Sequence, residues 1–259
     1  MSATTLSLQE QANPKLFLKV PEITALFWII KILTTAMGEA ASDFFVHLDA
    51  SVAFLGALVI YLVSLAIQFR TKRYNAWAYW FQVAMVGIFG TMAADGLHKA
   101  GISIPTYTAA YGVLLLVVLG LWYAVEGTLS VHDINTPRRE GFYWLTVLVC
   151  FAFGTATGDW TADTLHLGTL DSGLIFTGLF VLPAIAFYLL RANAIVTFWI
   201  AYVITRPLGA SFADWAGDPV MHAGLGLGKG HVAAVLTVVI VAFVAYLAAS
   251  RRDAPHSAA

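Results

Sequence analysis

The sequence is poor in charge and nearly devoid of cysteine. Only 11% of its 259 residues are Asp, Glu, Lys or Arg, 59% are hydrophobic, and the mean hydropathy is +0.78. So little polar surface cannot clothe a water-soluble globule of this size, and lipid must be the solvent for most of the chain. The single cysteine, Cys150, lies inside an apolar run, which excludes a disulfide framework or a thiolate metal cluster within one chain. A basic stripe or tail of useful length is missing, so nucleic acid is not an expected partner. The first 20 residues contain Pro14, Lys15 and Lys19 but no apolar core, and they do not read as a cleavable signal peptide.

What is abundant is long apolar sequence. Eight stretches, near 22–42, 51–69, 75–95, 106–126, 141–159, 171–190, 194–214 and 230–249, reach the roughly 20 residues a helix needs to cross a hydrocarbon core. These continuous runs predict an all-α integral membrane protein; a β-barrel would need short alternating segments instead. The connections are too short to hold a soluble domain. The expected organisation is a tail over 1–20, one membrane domain over 21–250 and a second tail over 251–259.

Ten of the fourteen basic residues, Lys15, Lys19, Arg70, Lys72, Arg73, Arg138, Arg139, Arg191, Arg251 and Arg252, fall before the first run, in even-to-odd connections or after the last run. The positive-inside rule then places both termini in the cytoplasm, as for a multi-pass protein of a bacterial inner membrane. The opposite end is acidic, with Asp43, Asp49, Asp95, Asp159, Asp163, Asp171, Asp214 and Asp218 at or beyond the far ends of the runs.

The strongest signal is internal repetition. Trp28 is followed by Gly38 and Asp43, Trp80 by Gly90 and Asp95, Trp144 by Gly154 and Asp159, and Trp199 by Gly209 and Asp214, at one spacing throughout. A given Trp would meet both conditions by accident roughly once in 300 trials, so chance is excluded. Each copy holds a Trp-bearing odd helix and a plainer even helix, giving repeats at about 21–70, 73–126, 138–190 and 193–250. Successive copies enter the membrane in the same direction, which predicts pseudo-symmetry about the membrane normal. On a helix the Asp lies only about 60° around from its Trp and about 22 Å further along, so both share one face. The residue before each Asp is small, namely Ser42, Ala94, Gly158 or Ala213, which suits close backbone approach. The odd helices are therefore expected inside and the even ones toward lipid.

Across Lys19 to Ser250 the chain resembles a bacterial family of membrane-anchored proteins built from four tandem two-helix repeats of unknown function. Trp28, Trp80, Trp144 and Trp199 carry the resemblance. It implies the repeat fold and leaves activity open, beyond a loose association with manganese handling.

The repeated acids Asp43, Asp95, Asp159 and Asp214 are the first candidates for chemistry, because a carboxylate near the end of an apolar helix needs water, a cation or a partner. Four of them from equivalent positions can converge on one cation; the alternative is ordinary interfacial acids or acceptors for Trp160 and Trp215. Glu39 lies one turn before Asp43 on the same face and can join a metal site or pair with a buried base. Lys31 and Arg206 are the only bases well inside the runs, and serve as coupling groups or counter-ions to Glu39 or an aspartate. Pro207 is expected to distort the seventh helix. Asp163, His98 and His166 are secondary candidates, since His98 and His166 each follow an acid, Asp95 or Asp163, by three residues. The tryptophans suit packing wedges and interfacial anchors.

Taken together these features predict a secondary transporter or exporter of a small divalent cation, manganese favoured, with a proton as candidate counter-ion. No resident cofactor is expected, and the partners are the bilayer and the cation; a homo-oligomer is compatible with the sequence. A passive channel lined by an Asp ring and an intramembrane metal-dependent hydrolase are the alternatives. His-Glu-x-x-His, Gly-x-Ser-x-Gly and nucleotide-binding motifs are missing, so an enzyme or an ATP-driven pump is not expected.

Overall fold

The structure, a computed structural model, describes residues 18–255. Lys15 and most of the expected N-terminal tail, and the end of the C-terminal one, lie outside the described residues. The described chain forms eight long helices: α1 (Ala25–Leu48), α2 (Ala50–Arg70), α3 (Ala76–Lys99), α4 (Ile104–Glu126), α5 (Pro137–Asp159), α6 (Gly168–Leu190), α7 (Ala194–Gly217) and α8 (Lys229–Ser250). A π-turn, Trp160–Thr164, extends α5. All eight are long and apolar enough to cross a membrane, and no strand occurs among the described residues. The protein is a multi-pass helical membrane protein.

Each odd helix opens on a side-chain cap that satisfies backbone N–H groups with no partner inside the helix. Thr24 accepts from Phe27, Asn75 from Ala78, Thr136 from Arg139, and Asn193 from Ile195 and Val196. Other helices stop where the chain turns left-handed, as at Gly127 after α4 with φ 70°. Pro207 does not break α7, which stays helical from Ala194 to Gly217. Nearby, the Thr35 hydroxyl of α1 donates to the Thr205 carbonyl at 3.0 Å.

Neighbour packing runs α1 to α3, α3 to α5, α5 to α7 and α7 back to α1, so the four odd helices close a ring. Each even helix packs chiefly on the odd helix of the following repeat: α2 on α3, α4 on α5, α6 on α7, and α8 on α1. Burial follows this plan. In the most apolar window of α1, α3, α5 and α7 the buried share is 67, 50, 67 and 61%, against 11, 22, 17 and 28% for α2, α4, α6 and α8. The even helices therefore present their sides to lipid.

The repeat glycines are the ring's contact points. A methyl group at Gly38 would stand 2.8 Å from the Gly87 backbone, one at Gly90 2.9 Å from Phe151 Cβ, one at Gly154 2.5 Å from Arg206 Cβ, and one at Gly209 2.0 Å from Thr35 Oγ1. Gly87, Phe151, Arg206 and Thr35 each lie three residues before the glycine of their own repeat. One contact is thus repeated around all four seams, and it requires a residue without a side chain.

The odd helices run past their apolar stretches, to Leu48, Lys99, Thr164 and Gly217. The repeat aspartates consequently lie within the helical segments or at the α-to-π junction, about a turn before the helical end. Hydropathy marks where lipid ends, whereas helical hydrogen bonding continues into the polar layer. Gly209→Val is expected to lower stability by about 1–3 kcal/mol through overpacking against Thr35 and Ala36. Gly56→Ala, with open space around the new methyl in a helix interior, should not lower stability. Thermal unfolding of the purified protein in detergent checks both.

Candidate functional site

Midway along the ring, one side chain ties all four inner helices together. Arg206 of α7 is 1% exposed. Its Nη1 donates to the Thr35 carbonyl of α1 at 2.8 Å, and its Nη2 to the Thr155 hydroxyl of α5 at 2.8 Å. The same Nη2 also donates to the Glu39 carboxylate of α1 and to the Thr91 hydroxyl of α3. Glu39, Thr91 and Thr155 each follow the glycine of their repeat, so three equivalent positions converge on one guanidinium.

On the acidic side of this net the ring opens into a basin with two adjoining lobes of about 270 and 260 Å³. Both lobes are lined by Asp43, Asp95, Asp159, Asp163, Asp218 and Lys229, and the deeper one also by Glu39, Ser211 and Asp214. All four repeat aspartates therefore face one space. They approach it from the C-terminal ends of four helices, where the partial negative charge of exposed carbonyls adds to theirs. Ordinary helices place bases there. Four carboxylates at four such ends make a cup of concentrated negative potential, which calls for a cation.

The protein supplies one cation itself. Lys229, the first residue of α8, places Nζ 2.9 Å from Asp43 Oδ2, 2.5 Å from Asp214 Oδ1 and 3.0 Å from Asp218 Oδ1. Glu39, Asp43 and Asp214 also offer carboxylate oxygens within 4.8 Å of one another, a spacing that could hold a metal ion. Across the basin, the Tyr107 hydroxyl of α4 donates to Asp159 at 3.3 Å. Tyr107 and Lys229 both stand in the first turn of an even helix, and each reaches the aspartate of the odd helix that its own helix covers, Asp159 and Asp43.

The other half of the ring is filled. Trp80, Trp144 and Trp199 are buried there, Trp28 is half-buried against Phe180 and Phe198, and the Tyr79 and Tyr143 hydroxyls meet at 2.5 Å. The tryptophans wedge helices together and do not form an interfacial belt. Beyond them a strap over residues 18–22 crosses the end of the bundle. The Leu18 carbonyl accepts from Tyr74 N at 2.7 Å, Lys19 N donates to Ile134 at 3.2 Å and Glu22 N to Asp253 at 2.9 Å. Lys19 Nζ pairs with the buried Glu140 at 2.5 Å. The Tyr74 hydroxyl donates to Asp253, whose carboxyl burial pushes above the usual range.

Of the residues singled out from sequence, Asp43, Asp95, Asp159, Asp214 and Glu39 come together, with Asp163 and His98 at the basin's outer wall. Arg206 pairs with Glu39. Lys31 meets no acid among the described residues: its Nζ lies 4.1 Å from the Phe151 ring centre and 4.3 Å from that of Tyr202. It sits eight residues before Glu39 on α1, about 12 Å deeper, out of its reach. His166 leaves the helical turn expected to align it with Asp163. The π-turn ends at Thr164, and His166 lies exposed beyond it with φ 57°. Lys229 was not among the residues singled out, although a lysine closing the glycine-spaced stretch Gly224-Leu-Gly-Leu-Gly228 at an otherwise acidic end was a readable signal.

Arg206→Gln should destabilise the folded protein by about 3–5 kcal/mol, because it strands the Glu39 carboxylate in the ring. Adding Glu39→Gln to that variant should recover much of the loss. A double-mutant cycle on thermal or denaturant unfolding checks this, and an unrecovered double variant would show that the pair does not act as a unit.

The family model described as Repeat of Unknown Function (DUF347) matches the chain four times, at residues 26–74, 78–128, 142–193 and 197–253. Each match covers most of one odd helix and all of the even helix that follows it. No curated protein and no solved structure matches the chain. The chain thus belongs to the Repeat of Unknown Function (DUF347) family, as a protein of four such repeats around one acidic basin.

Proposed function

We propose that the protein is a secondary transporter of a small divalent cation, with manganese favoured as substrate and a proton as the counter-ion. The observation that carries this reading is the convergence of four repeat aspartates, each near a helix C-terminus, on a single basin above a sealed ring. The donors gathered in the deeper lobe are carboxylate and hydroxyl oxygens, the imidazoles of His47 and His98 standing only at the outer one. Cys150 is buried elsewhere in the ring wall, so the site suits a hard ion such as manganese or magnesium better than copper.

The filled middle favours a carrier over a pore. A channel needs a continuous hydrated path, whereas here the Arg206 net, Lys31 and the aromatic layer lie one below another on the way to the strap. Access would therefore have to alternate, with the net and the strap rearranging as the basin closes. The distribution of Lys and Arg orients the basin to the outside of a bacterial inner membrane, with both termini in the cytoplasm. The site serves binding and release without a chemical step, so the reading is of a carrier and not an enzyme.

Reconstituted into liposomes, the protein should move Mn²⁺ at a rate well above protein-free vesicles. Asp43→Asn or Asp214→Asn should cut the initial rate by roughly tenfold or more, as expected when a membrane-embedded charge on an ion path is removed. Flux that is indifferent to both substitutions would refute the cation reading. An imposed proton gradient should drive accumulation above equilibrium; purely downhill flux would instead identify a channel.

A further inference from the structure

Lys229 occupies the place that the proposed function reserves for the cargo. Its ammonium bridges Asp43 Oδ2 and Asp214 Oδ1 at 2.9 and 2.5 Å, the two aspartates whose oxygens gather with Glu39 within 4.8 Å. Beside them the Ser211 hydroxyl, 3% exposed, lines the same cavity with no hydrogen-bond partner among the described residues. Three carboxylates and an uncommitted hydroxyl make a hard oxygen set for a metal ion, and an ammonium satisfies only part of it.

The fold holds the base of this lysine firmly and leaves its head free to swing. The connection before α8 is stitched to the end of α7 by Leu225 N to the Trp215 carbonyl at 2.7 Å, Leu227 N to Ala216 at 3.1 Å and Gly228 N to Gly217 at 3.2 Å. The stem then passes over Gly217, where a methyl group would stand 2.6 Å from Lys229 Cδ. A third carboxylate, Asp218, already lies 3.0 Å from the ammonium. It comes four residues after Asp214, about 6 Å nearer the mouth. The ammonium can shift outward onto Asp218 without moving α8.

We infer that Lys229 is a tethered surrogate for the transported cation, holding Asp43 and Asp214 until a divalent ion displaces its ammonium toward Asp218. The inference rests on the cation reading above and adds a mechanism to it. An ammonium and a doubly charged ion cannot share these two carboxylates, because their repulsion in a half-buried site is large. Each exchange returns one positive charge to the helix-end carboxylates when the cargo leaves. It also weakens cargo binding by the cost of displacing the lysine, which makes release easier.

The test uses the full chain in detergent, titrated with Mn²⁺ and read by the electron paramagnetic resonance signal of free Mn²⁺. Lys229→Met should bind Mn²⁺ about tenfold more tightly or better than the native protein, the factor that follows from about 1.4 kcal/mol of displacement cost. A second measurement needs no variant. Saturating Mn²⁺ should speed acylation of Lys229 by a water-soluble amine reagent several-fold relative to the exposed Lys72, which lies outside the basin, followed by mass spectrometry. If the native protein binds Mn²⁺ but neither the affinity of Lys229→Met nor the labelling of Lys229 changes, the tethered-cation inference is overturned and the cation reading stands. If Lys229→Met does not fold, the labelling result alone decides. Absence of saturable Mn²⁺ binding in both proteins would overturn the cation reading itself.

Discussion

The arrangement of the molecule depends on a single guanidinium at the centre of a ring of four helices. Arginine offers five N–H donors in a flat fork, enough to serve several helices at once. Only one such group fits on the axis. Four identical repeats would bring four bases or four acids together there, and like charges in a low-dielectric ring repel strongly. The positions that follow the repeat glycines differ for this reason: one acid, Glu39, matches the one base, Thr91 and Thr155 take up remaining donors, and Ala210 follows on the arginine's own helix. Departure from exact repetition is thus a requirement of the axis.

The glycines make that arrangement sterically available. At Gly154 a side chain would collide with the Arg206 stem, with Cβ and Cγ each 2.5 Å away, so the residue that sets the helix spacing also admits the arginine. The same contact repeated around the ring draws the helices close enough to seal the middle. Aromatic side chains fill the half below, and the half above stays open because its lining is short acids and small residues. One tight ring therefore yields a basin on one side and a stopper on the other, the asymmetry an alternating carrier starts from.

Much of this was legible before any coordinates. Apolar length marked all eight helices, and the Trp, Gly and Asp spacing marked the repeats, because both record constraints that act along one helix. The convergence of Asp43, Asp95, Asp159 and Asp214 followed once pseudo-symmetry was assumed. What escaped were relations between distant segments. A buried base as counter-ion to Glu39 was expected, but the pair meets across 167 positions in the chain, and nothing local separates Arg206, which pairs, from Lys31, which rests on two aromatic faces. The strap over residues 18–22 was invisible for the same reason, since its partners Ile134, Glu140 and Asp253 lie in a connection, in the first turn of α5 and beyond α8. His166 was misplaced by one π-turn, a local irregularity with no compositional mark.

The seam between α7 and α1 is physically distinct, because it is where the last repeat meets the first. At the other seams the covering even helix comes from the repeat just completed, and the first turn of α4 brings only a hydroxyl, Tyr107, to Asp159. At the closing seam α8 covers α1 and brings an ammonium to Asp43 and Asp214 together. Two of the four aspartates thereby share one positive charge supplied from within, while Asp95 and Asp159 face the cavity on the other side. A cation drawn in by the helix ends finds no ammonium on Asp95 and Asp159, whereas at Asp43 and Asp214 it must displace one. The field of the basin is therefore uneven, not symmetric, and the Asp43 and Asp214 position is the one whose occupation the protein contests.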